Sequence, residues 1–151
     1  MKIKKIELYN IGSFQGKNCI DISDVSKNVI LVGGKNGAGK TTLFESIKIC
    51  IYGHKEAGYQ TISPAYKKNI KSLINDYAKL EAKTEAYVCI NLELFNGQDM
   101  DSYSLKREWN LSKDDFETFT VEKNGQQLSN EDIEIFNSYL LDLIPPELFN
   151  L

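Results

Sequence analysis

The residues with the most chemistry in them are Gly34, Lys35, Asn36, Gly37, Ala38, Gly39, Lys40, Thr41 and Thr42. They follow the pattern glycine, four residues, Gly-Lys, then Ser or Thr, which cradles a polyphosphate. Glycines 34, 37 and 39 permit backbone conformations that turn several N–H groups onto one anion. Lys40 offers a point charge for the terminal phosphates, and the Thr41 hydroxyl a ligand for Mg²⁺. Thr42 is expected to open a helix whose positive end faces the same phosphates. Backbone groups of Lys35 through Lys40 would hold the β-phosphate region, and Thr42 would take the α-phosphate side.

So short a pattern needs the right elements around it. Val29 to Val32 is a β-branched run that predicts a strand buried on both faces. After the loop, Leu43, Phe44, Ile47, Ile49, Cys50 and Ile51 predict a helix that is largely covered, with Gly53 as its stop. Strand, glycine loop and helix in that order make a nucleotide site.

Ahead of the loop, Ile3, Ile6 and Leu8 mark one strand, Asn10 to Ser13 a turn, and Asn18 to Ile22 a second strand, suggesting a mixed sheet. Lys55 to Pro64 is a polar connection. Tyr66 to Lys83 is rich in lysine and has helical spacing at Ile70, Leu73, Ile74, Tyr77 and Leu80. Lys67, Lys68, Lys71, Lys79 and Lys83 would decorate its outer surface as a solvated face, with a nucleic-acid-facing patch as the alternative. Ala86 to Leu94 alternates strictly and leads to Asn96-Gly97. Ser102 to Trp109 and Phe116 to Glu122 continue an antiparallel meander, with a second Asn-Gly turn at Asn124-Gly125. Arg107 lies on the apolar parity, either ion-paired within the structure or aimed at a site. Ser129 starts a last helix, whose apolar side is Ile133, Ile135, Phe136, Tyr139, Leu140 and Leu143, before Pro145-Pro146 ends it.

The chain has 151 residues, enough for one core, and no apolar segment long enough to span a bilayer. Its amino terminus lacks the apolar stretch of a secretory signal. Cys19, Cys50 and Cys89 have no metal-ligand spacing; Cys50 and Cys89 read as buried free thiols, suited to a reducing cytoplasm. His54, the sole histidine, reads as a surface or capping residue. The net charge of −3 is uneven: residues 1–109 hold sixteen basic and twelve acidic side chains, and residues 110–151 hold two and nine. The whole chain therefore lacks the basic excess of a nucleic-acid-binding domain.

Hydrolysis of a nucleoside triphosphate also needs a second carboxylate after an apolar strand and a group that positions water. Val88-Cys89-Ile90 runs into Asn91, and Asp142 ends an amphipathic helix. Leu128-Ser129-Asn130 has only a faint likeness to a Leu-Ser-Gly-Gly signature, and a helix cap explains Ser129. The chain is expected to bind ATP but to hydrolyse it poorly.

The phosphate loop resembles that of ABC-type chromosome-maintenance and DNA-repair ATPases, including RecF, SbcC and the SMC proteins. Ile6 to Gly16, Leu43 to Gly53, Tyr103 to Trp109 and Ile144 to Phe149 resemble most the DndD family, the ATPases of DNA phosphorothioation. The resemblance implies an α/β P-loop NTPase fold, the N-terminal lobe of an ABC-type head, with a mixed sheet and an antiparallel meander. On that basis residues 1–151 make the N-terminal lobe, and the apolar end Glu147-Leu148-Phe149-Asn150-Leu151 is the start of a further core element. It also implies a complementary C-terminal lobe, a second head in an ATP-dependent dimer, DNA sulfur-modification partners, and DNA itself as a partner weakly supported by charge. Many relatives carry arginine shortly after the first strand, near the nucleotide, where Gly12 or Ser13 stands here; the place of Asn36 in the family motif implies an approach to the γ-phosphate. The alternatives are a small phosphoryl-transfer enzyme such as a nucleotide kinase, for which Arg107 is the only arginine, and a non-catalytic nucleotide-dependent interaction module.

Overall fold

The computed structural model describes residues 1–25, 29–55 and 62–146. Most of the Lys55–Pro64 connection and the apolar end at Glu147–Leu151 lie outside these residues. Among the described residues, six strands form one antiparallel sheet in the order β2-β1-β3-β4-β5-β6. They are β1 (Lys2–Ile11), β2 (Phe14–Asp21), β3 (Glu85–Phe95), β4 (Met100–Asn110), β5 (Glu117–Lys123) and β6 (Gln126–Gln127). The alternation in the sequence sets the register. Ile6 pairs with Ile90, and Ile90 with Leu105, placing one apolar row across the sheet. Asn96-Gly97 and Asn124-Gly125 turn the chain as expected, with Gly97, Asn124 and Gly125 all at positive φ.

Helix α1 (Lys40–Tyr52) packs over the apolar row, sharing a core with Leu8, Val88, Ile90, Leu105 and Val121. Gly53 stops the helix, with φ 58° and its N–H bonded to Ile49 O. Helix α4 (Asn130–Leu143) is capped by Ser129, whose Oγ accepts from Asp132 N at 3.2 Å. It docks through Ile133, Phe136 and Leu140, and Phe136 stacks on Tyr103 at 4.6 Å. Ile135, Tyr139 and Leu143, expected on the same side, are exposed. The opposite sheet face is open: Glu7 accepts from Tyr87 Oη at 2.7 Å and pairs with Lys17 at 3.1 Å, and Tyr9 stacks on Tyr87. Cys89 lies on that face, half-buried, whereas Cys50 is fully buried.

Three expectations are corrected. Every strand pair among the described residues is antiparallel, so the sheet is not mixed. Val29 to Val32 forms no strand and is exposed, with Val29 at 83% and Leu31 at 95%. A strand buried on both faces needs hydrogen-bonded neighbours and covering layers. Here the run pairs with none of the six strands among the described residues. The Tyr66–Lys83 segment is likewise not one helix but α2 (Pro64–Leu73) and α3 (Asp76–Leu80). The break is at Ile74, held extended in a bridge to Ile11, and at Asn75, whose Oδ1 caps α3 at Ala78 N. Tyr77 and Leu80 consequently point outward. The α/β class and the meander stand.

Candidate functional site: a phosphate loop at the head of α1

Lys35 to Gly39 form the turn that feeds α1. Gly37 and Gly39 have φ of 82° and 89°, a conformation that penalises any residue with a Cβ. Gly39 is the N-cap, and no side chain caps the helix, so its first N–H groups are left for a ligand. Leu43 N bonds to Gly39 O at 2.9 Å, and Ala38 N to Lys35 O at 3.1 Å. The Lys40 ammonium folds back over the loop, donating to Gly34 O at 2.6 Å and Lys35 O at 2.9 Å.

A cavity of about 280 Å³ opens at this point, lined by Asn36, Gly37, Gly39, Lys40, Thr41 and Thr42, with Ser13 from another element. The residues expected at the site are thus brought together in part. Gly34, Lys35 and Ala38 close the loop from behind through the carbonyls and turn just described. Among the described residues, no carboxylate lines this cavity. Positive-φ glycines, an uncapped helix end and an ammonium held only by carbonyls suit an anion, and the lining hydroxyl of Thr41 suits the single protein bond that a largely hydrated Mg²⁺ takes.

Sequence reasoning does not find Ser13. It lies in the β1–β2 turn; the pattern Asn10-Ile11-Gly12-Ser13 does not say which loop the turn will face, and only the resemblance, through the arginine that relatives carry at about this place, points to it. Arg107 resolves to the ion-paired option. Its Nη1 meets Glu117 Oε1 at 2.6 Å, its Nε donates to Cys50 O at 3.1 Å, and its Cζ lies 4.1 Å from the centre of the Phe119 ring. Glu117 Oε2 accepts from Trp109 Nε1 at 2.7 Å and from Tyr66 Oη. This buried network ties down the C-terminal end of α1, about 15 Å by helix rise from Lys40. Burial pushes the Cys50 thiol beside it up to about 12. His54 follows the helix stop, edge-on to Tyr66.

Residues 5–147 match the family AAA_23, described as an AAA domain. The chain belongs to this AAA domain family. It is 43% identical over 53 residues to the SbcC component of the SbcCD nuclease of Treponema pallidum, covering 35% of this chain and 5% of that protein. It is 27% identical over 133 residues to arcadin-4 of Pyrobaculum calidifontis, covering 88% of this chain and 14% of that protein. The chain therefore spans a small fraction of the length of these relatives. A structure solved in work on ATP-driven dimerization and DNA-stimulated activation of SMC ATPases superposes with a TM-score of 0.57 at 20% identity, covering 88% of this chain and 75% of that one. That likeness establishes the fold. Together these matches support the SMC- and SbcC-like ATPase superfamily and do not single out DndD. Among the described residues, no helix is long and apolar enough to cross a membrane.

Proposed function

We infer that the chain is the nucleotide-binding N-terminal lobe of an SMC/SbcC-like ATPase head, taking Mg·ATP at residues 34–42. The observation that carries this reading is the loop itself: two positive-φ glycines, an uncapped helix end and Lys40 around one cavity. In it, the N–H groups of the loop and the start of α1 orient the polyphosphate, Lys40 leaves the Gly34 and Lys35 carbonyls for the β/γ oxygens, and Thr41 contributes to the metal shell. Mg²⁺, when bound, neutralises charge on the phosphates. The described residues that line the cavity include no carboxylate, which fits weak hydrolysis by this chain alone.

The exposed run Val29–Val32 supports a second part of the reading. It is a β-branched segment with no strand partner among the described residues, and strands from a complementary lobe would cover it, with a second head completing the nucleotide site. Within the superfamily, a DndD-like role in DNA phosphorothioation is the finer reading we favour, on the stretches already named; it is tested by loss of DNA sulfur modification in cells carrying Lys40→Ala. The kinase alternative needs an acceptor arginine, and Arg107 is buried in an ion pair at the far end of α1.

The direct test is titration of the purified chain with Mg·ATP. Binding that Lys40→Ala weakens by tenfold or more, about 1.4 kcal/mol, together with negligible turnover, is expected. Robust ATP hydrolysis by this chain, lost in Lys40→Ala, would refute the half-site reading; no binding at all would refute the site.

A further inference from the structure

Strand β5 is left with an open edge. It pairs with β4 along its whole length, but on its other side β6 covers only Glu122 and Lys123. Just beyond them Leu128 N donates to Val121 O at 2.8 Å, which sets the backbone groups of Val121 on the outer edge. Main-chain groups of an antiparallel strand alternate sides with a period of two, so the N–H and C=O of Phe119 point outward as well. Among the described residues no strand pairs with them. Nor is this edge blunted. Glu117-Thr118-Phe119-Thr120-Val121 contains neither proline nor lysine, and its one charge is turned inward onto Arg107. A cavity of about 400 Å³ adjoins the strand at Phe119, with Ile51 of α1 and Ile133, Glu134, Asn137 and Leu140 of α4 in its walls. Asn137 Oδ1 is shielded from water and has no hydrogen-bond partner among the described residues, a state that few buried polar atoms keep.

We propose that this edge and cavity bind a basic, extended peptide segment of a partner protein, which adds a strand to β5 and sets one aliphatic side chain in the cavity. Each part of that chemistry answers a separate observation. The outward N–H and C=O of Phe119 pair with main chain, as any open strand edge does. Ile51, Ile133 and Leu140 are buried and apolar, and they fit an aliphatic side chain. Asn137 offers its amide oxygen to a donor on the peptide. Lysine or arginine flanks follow from charge: Glu134 is exposed at the cavity, and residues 110–151, which supply β5 and α4, hold nine acidic and two basic side chains. The cavity lies at the C-terminal end of α1, the opposite end from Lys40, so peptide and nucleotide occupy separate places.

The test is NMR titration of the isotope-labelled chain with a synthetic nonapeptide that alternates lysine and valine around a central leucine. Three relatives of it serve as comparisons: one with glutamate in place of lysine, and two N-methylated at alternate backbone nitrogens, one in each register. Saturable shifts are expected at the Phe119 and Val121 amides and at the Asn137 side chain. The glutamate peptide should bind about tenfold more weakly or worse. One N-methylated form, and only one, should lose a similar factor, because a single edge of the added strand faces β5. Glu134→Lys should weaken the lysine peptide about threefold or more, with an unchanged thermal melt and unchanged Mg·ATP affinity. The proposal is overturned by no saturable shift up to about 1 mM lysine peptide, by equal affinity for the two charge types, or by full binding of both N-methylated forms. Shifts at the same amides that follow chain concentration without any peptide would give the edge to a second copy and overturn it too.

Discussion

Replacing Glu117 by Gln removes one charge from a buried pair without changing its shape. The Arg107 and Glu117 side chains are 6% and 4% exposed, and the pair is closed at 2.6 Å. The variant leaves the guanidinium buried without a counter-charge. It also presents a carboxamide where one oxygen accepted from Arg107 and the other from Trp109 and Tyr66, so at least one donor faces an NH₂ group. Breaking a buried pair from one side costs about 3–5 kcal/mol. For a chain of this size that is a fall in Tm of roughly 10 °C, at about 2–4 °C per kcal/mol. Urea denaturation followed by far-UV circular dichroism measures the loss independently of any local change at Trp109. In Arg107→Met/Glu117→Gln the orphaned cation is gone, so the two single losses should exceed the double loss by roughly 2 kcal/mol. Nucleotide affinity should hold near wild type, because the network lies at the other end of α1. A cost below about 1 kcal/mol for Glu117→Gln, or additive single losses, would show that the pair does not bind α1 to the sheet.

Three further outcomes are expected. Gly53→Ala should destabilise by about 2 kcal/mol or more, since a Cβ at φ 58° would sit 2.6 Å from Arg107 Nη1; a melt matching wild type would contradict the close packing. Asp101 is held down to about 2 by Lys123, Asn124 and Asn96, below the ordinary 3.8 of an aspartate. Its folded pKa is depressed, so its contribution is fully present above pH 3.8 and disappears as pH falls through about 2; the stability gap between wild type and Asp101→Ala should close over that window in acid titrations. The Cys50 thiol, raised to about 12 by burial, should resist alkylation at pH 8 in the native chain while the exposed Cys19 reacts; equal labelling rates by mass spectrometry would place Cys50 outside the core.

The strands are legible in the sequence because alternation is a local pattern with a local meaning. Ala86, Val88, Ile90, Leu92 and Leu94 share one parity, and a sheet covered on one face buries one parity. The helix stop at Gly53 and the cap at Ser129 are legible for a similar reason, since a few neighbouring backbone groups decide them. The run Val29–Val32 misleads because its composition reports a preference for burial, and burial requires partners that a sequence window does not contain. The Tyr66–Lys83 segment misleads because the cross-chain bridge from Ile74 to Ile11 overrides helical spacing.

The same division holds at the site. The loop chemistry follows from chain order alone: Gly37 and Gly39 at the positions needing positive φ, Lys40 as the mobile charge, and the hydroxyls of Thr41 and Thr42 at the head of a helix. These residues are adjacent in the chain, so their spacing is already their geometry. Packing of separate elements was needed to make the β1–β2 turn the opposite wall, to set Ser13 facing Gly39 across it, and to commit Arg107 to Glu117 rather than to the loop. Those pairings join residues 26 and 10 positions apart on different elements, and no window of sequence holds the contacts that bring them together.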